Sequence, residues 1–129
     1  MCTETPSARP TLVMDASAAR EARRFLDEAW CIEHLHVLRP QAEMVLGELV
    51  ADAVRHGSPP VDVRLECDGA AATIEVTDRD PDPGDLLPSP GGRPRISLVD
   101  VLSDEWGVRT RPGGKTVWSR LVGVDAGTG

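Results

Sequence analysis

Four side chains near the middle of the chain, Glu48, Asp52, Arg55 and His56, are spaced for chemistry. At about 100° per residue, the first three fall at i, i+4 and i+7, one narrow helical stripe, with His56 beside it. Two acids one turn apart can hold a divalent cation or share general-base work. The same spacing also describes a solvated helix face on which Asp52 pairs with Arg55 or His56.

The element that must position these groups is readable. Val45, Leu46, Leu49, Val50, Ala53 and Val54 cover one broad arc, which predicts a helix from about Pro40 to His56. Gly57, followed by Pro59-Pro60, stops it as a C′ glycine with prolines beyond should. Upstream, Thr11–Met14 is a short strand candidate. Asp15 or Ser17 caps a helix whose Ala18, Ala22, Phe25 and Leu26 recur at helical spacing. Arg20, Arg23 and Arg24 lie mostly on its other side. Downstream, residues 61–67 and 72–78 alternate apolar and polar and form a hairpin about Asp68-Gly69-Ala70. Its outer face carries Asp62, Arg64, Glu66, Thr73, Glu75 and Thr77. Residues 79–95 are rich in Pro and Gly and without period, a loop long enough to be functional. A short helix near 96–102 and a last hairpin, 107–110 with 115–122, complete the order β-α-α-β-β-loop-α-β-β. That order implies an α+β two-layer sandwich: one mixed, mostly antiparallel sheet covered on one face by three helices.

The chain of 129 residues reads as one domain, with a loose start at 1–9 and a Gly-rich tail at 123–129. One Phe, three Trp and no Tyr leave the core to Val, Leu, Ile and Ala. A net charge of −7 argues against a general nucleic-acid binder. Cys2, Cys31 and Cys67 show no metal-ligand spacing and read as reduced thiols of a cytoplasmic protein. His34 and His36 have no third ligand nearby and read as loop histidines. No apolar run spans a membrane, and the first thirty residues lack the order of a signal peptide.

Three strings in order resemble one known family. Glu48–Gly57 matches a helix read as E-L-V-x-N-A-x-x-H-[AG]. Val76-Thr77-Asp78-Arg79-Asp80-Pro81 matches a D-x-[SDG]-P segment after a strand. Leu98-Val99-Asp100 through Trp106-Gly107-Val108, then Gly113-Gly114-Lys115-Thr116-Val117-Trp118, match L-V-D-x-L-x-x-x-W-G-V and a closing G-K-T-V-W strand. The sequence thus resembles the histidine-kinase-like ATPase (GHKL, Bergerat) fold, from about Ala18 to Leu121. Within that fold it is similar to the small anti-sigma-factor serine kinases of actinobacterial type.

The resemblance implies a cytoplasmic partner-switching regulator that binds a sigma factor, a STAS-domain anti-anti-sigma protein, or both, and that can dimerise. It implies ATP and Mg²⁺ as cofactors and, where the chemistry is intact, serine phosphorylation of the partner. Glu48 falls on the general base and Asp52 on the Mg²⁺ ligand. His56 closes the same nucleotide-binding motif. Asp78 falls on the aspartate that accepts from the adenine amino group, and Thr116 near the adenine end of the pocket. Residues 79–95 fall on the mobile lid, where Arg93 and Arg95 would meet phosphates by side chain. Two departures stand out: Asp52 replaces an asparagine, and Gly92-Arg93-Pro94-Arg95-Ile96 replaces a glycine segment that lets backbone N–H groups approach phosphates. A second reading follows from them: a binding module that kept the fold and lost nucleotide chemistry.

Overall fold

Helical and two-residue periods divide the chain as its sequence predicts. The computed structural model describes residues 11–12, 17–29, 38–67, 70–84, 86 and 96–123. Its elements are β1 (Thr11–Leu12), α1 (Ala18–Ala29), α2 (Arg39–His56), β2 (Val61–Cys67), β3 (Ala71–Asp78), α3 (Ser97–Leu102), β4 (Glu105–Arg111) and β5 (Gly114–Val122). The pair His34 and His36, and Cys2 and Cys31, lie outside the described residues, as do Arg93 and Arg95.

Helix α1 buries Ala18, Ala22, Phe25 and Leu26 and exposes Arg20, Arg23 and Arg24. At its start, Ser17 Oγ donates to Glu21 Oε2 at 3.0 Å. An acid in the first turn suits the positive end of the helix dipole. Arg23 pairs with Glu43 at 3.1 Å, and Arg39 pairs with Asp27, so ion pairs at the surface tie α1 to α2. Such exposed pairs add little stability. Burial of Ala42, Val45, Leu46, Leu49, Val50 and Ala53 on α2 supplies the stronger hold.

The sheet order is β1-β2-β3-β5-β4. Every pairing among the described strands is antiparallel, so the parallel part expected of a mixed sheet is absent there. The reason is connectivity. β2–β3 and β4–β5 are hairpins, and α3 carries the chain past β5 to the outer edge, so β5 returns beside β3 in the opposite sense. Strand β4 begins at Glu105, two residues before the expected start. Trp106 Nε1 donates to Asp100 Oδ1 at 2.8 Å and ties that early part to α3.

The helices cover one face of the sheet. Val61, Val63, Leu65 and Cys67 of β2, Ala72, Ile74 and Val76 of β3, and Val117 and Leu121 of β5 point into that layer and form one aliphatic core with α1, α2 and Val99. The Cys67 thiol is free and buried within it. The other face is solvated and laced with ion pairs, Arg64–Glu66 at 2.8 Å, Arg79–Asp62 at 2.7 Å and Arg109–Glu75 at 2.8 Å. Trp118 lies there beneath the Arg109 guanidinium, whose carbon is 5.9 Å from the ring centroid. Among the described residues, no helix is long and apolar enough to cross a membrane.

Candidate functional site

The α2 stripe divides by burial. Asp52 is buried at 8% exposure, Glu48 is half-buried, and Arg55 and His56 are exposed at the helix end. The two acids therefore sit at the margin of the core-facing arc, where the period placed them. His56 does not join them on that inner face. Among the described residues, no three His, Cys, Asp or Glu side chains could together hold a metal ion.

The densest polar arrangement lies at the end of β3. Asp78 follows Ala72, Ile74 and Val76 at period two, so its carboxylate points into the helix layer, 2% exposed. The β3–β5 register sets Lys115 directly opposite. Lys115 is equally buried, and its ammonium stands 3.2 Å from both Asp78 Oδ1 and Oδ2. It also donates to the Asp80 carbonyl at 3.1 Å. Asp78 Oδ1 accepts further from Asp80 N at 2.7 Å and Ser58 N at 3.4 Å. Isolated, either charge would be very costly to bury; paired and hydrogen-bonded, both are accommodated.

The helix end makes room for this knot. Gly57 donates its N–H to the Ala53 carbonyl at 2.8 Å and is extended, φ −99°, where a left-handed C′ glycine was expected. Glycine is needed there for space: a Cβ at Gly57 would stand 2.6 Å from Asp78 Cγ. The root of the loop after β3 is wound by its own acids. Asp80 Oδ1 accepts from Asp82 N at 3.0 Å and Asp82 Oδ1 from Gly84 N at 2.9 Å, continuing the Asp78–Asp80 step. These are successive Asx turns, ending at the fully buried Leu86.

Thr116 does not meet Asp78. One residue on from Lys115, it faces the other side of the sheet, where its Oγ1 lies 2.7 Å from Thr77 Oγ1. The residue at Asp78 is Lys115, which the sequence names only as part of the closing strand motif. The signal was available. Val117 and Leu121 are core residues of β5, so period two puts position 115 on their face.

In this arrangement the Asp78 carboxylate is occupied by the protein's own donors, whose hydrogen bonds to it all go to Oδ1. That carboxylate already accepts from an ammonium and two backbone N–H groups and is closed to solvent.

No protein-family model matches the sequence, and no curated protein matches it. Among solved structures, it is similar to the crystal structure of the RsbU and RsbW domains of Rv1364c from Mycobacterium tuberculosis. The TM-score is 0.63 at 23% identity, over 92% of this chain and 32% of that one. The chain spans about a third of the length of that structure. This likeness, with the helix-covered sheet, shows the fold: an α+β two-layer architecture shared with that structure.

Proposed function

We propose that this chain is a partner-switching regulatory module: a GHKL-type domain that binds a sigma factor or a STAS-domain protein through its surfaces and does so without nucleotide. The observation that carries the second half is the engagement of Asp78 by Lys115, Asp80 N and Ser58 N. An incoming donor would have to reach a buried carboxylate and compete with the Lys115 ammonium for Oδ2. The replacement of an asparagine by Asp52 and the loss of close-approach glycines at 92–96 act in the same direction. The first half rests on the three motif strings and on the fold likeness to the RsbU and RsbW domain structure.

The kinase reading keeps one feature in its favour, the placement of Glu48 and Asp52 one turn apart at the margin of α2. The two readings separate in one assay. Candidate sigma factors and STAS-domain proteins from the same genome are mixed with the purified chain and run on a sizing column, with and without Mg·ATP. A complex of equal yield in both conditions is the expected result. A complex that forms only with ATP, or a STAS-domain partner that becomes phosphorylated, would contradict it.

A further inference from the structure

The open face of the sheet ends in a cleft that the proposed function does not use. Its volume is about 120 Å³. Pockets for drug-sized ligands run to roughly 300–1,000 Å³, so this one suits a group of a few heavy atoms. Asp62, Thr77 and Arg79 line one side, and Arg111 with the Pro112–Gly114 turn lines the other. Asp78 also borders it, but its carboxylate is turned to Lys115 in the helix layer.

Three observations define the chemistry of the cleft. Arg79 Nη2 donates to Asp62 Oδ2 at 2.7 Å, which neutralises that carboxylate and orients the guanidinium. A guanidinium has five N–H donors, so others remain for a ligand. Arg111, across the cleft, has no hydrogen-bond or ion-pair partner among the described residues. The third observation is the hydroxyl pair. Thr77 Oγ1 and Thr116 Oγ1 share one bond of 2.7 Å. Two hydroxyls carry two protons, and their mutual bond uses one. Either hydroxyl can donate; when Thr116 donates to Thr77, the Thr77 proton is released to a ligand in the cleft that Thr77 lines. The cleft thus presents spare donors and a positive excess, on a chain of net charge −7.

We propose that this cleft binds an oxyanion, a carboxylate or phosphate group, with Arg111 and Arg79 as its charge partners and Thr77 as its hydroxyl donor. Charge-assisted bonds from arginine suit both geometries. The site borders Asp78 but opens on the face of the sheet opposite its carboxylate.

Amide NMR of the isotope-labelled full chain tests it, with sodium phosphate titrated at constant ionic strength and N-acetylglutamate in a parallel series. Saturable shifts at Thr77, Gly113 and Gly114 are expected with at least one probe, and which probe saturates tells phosphate from carboxylate. Arg111→Ala should weaken that binding by about tenfold, as loss of a charge-assisted partner does. Thr77→Val should weaken it and Thr77→Ser retain it, while Arg20→Ala, on exposed α1, leaves it unchanged. Arg111 is exposed, so its truncation leaves the fold intact. Shifts linear in both probes, or binding that Arg111→Ala does not change, would overturn the proposal.

Discussion

Lys115→Met destabilises the folded state by about 3–5 kcal/mol, the loss expected when one partner of a buried ion pair is removed. The variant leaves the Asp78 carboxylate buried with two backbone N–H partners and no countercharge. Methionine nearly conserves volume, so the loss reports charge rather than a cavity. Domains of this size hold only about 5–15 kcal/mol in all, so the effect is large. Urea unfolding followed by tryptophan fluorescence measures it. The double variant Lys115→Met/Asp78→Asn should recover most of the loss. No buried charge then remains, and the asparagine oxygen still accepts from Asp80 N. A coupling near zero between the two sites would mean that the pair does not act as a unit.

Gly57→Ala is the second large effect, and its sign is opposite to the usual one. At φ −99° and ψ −168° an alanine meets no backbone strain. On that ground alone, restricting the unfolded chain would stabilise the protein by about 0.4–1 kcal/mol. The added Cβ, however, would stand 2.6 Å from Asp78 Cγ, 2.7 Å from Asp78 Oδ2 and 2.8 Å from the Ala53 carbonyl oxygen. Asp78 is held by Lys115 and cannot retreat cheaply, and the carbonyl belongs to the helix. A net loss of about 1–3 kcal/mol follows, as for overpacking in a core. Gly47→Ala is the matching control. A Cβ there meets nothing within 4 Å, and mid-helix alanine should stabilise by roughly 0.8–1 kcal/mol. Thermal unfolding of the two variants should therefore shift in opposite directions.

Much of this architecture was legible in the residues. Period two in 61–67 and 72–78 placed both faces of the hairpin, and Asp62, Arg64 and Thr77 stand on the solvated face as read. The apolar arc of α2 placed Asp52 at the core margin. The corrections have separate causes. Which residue stands opposite Asp78 is set by register, which a single sequence does not state; the face of Thr116 is set by period two, and the motif resemblance alone places it at the adenine end. Gly57 was read from local rules for helix ends, while its actual constraint is a contact with a residue twenty-one positions away. The oxyanion cleft is assembled from four strands and the turn between the last two, and no string of residues announces it. Of the expected strand 11–14, the described residues Thr11 and Leu12 pair with β2.

The most direct measurement of the central claim is isothermal titration of the wild-type chain with Mg·ATP and Mg·ADP, beside Lys115→Thr and Asp78→Asn. With Asp78 held by Lys115, the account predicts no binding by the wild type up to millimolar nucleotide. Micromolar ATP affinity in the wild type, abolished by Asp78→Asn, would contradict it: Lys115 would then yield Asp78 to the ligand, and the domain would be a nucleotide-dependent regulator.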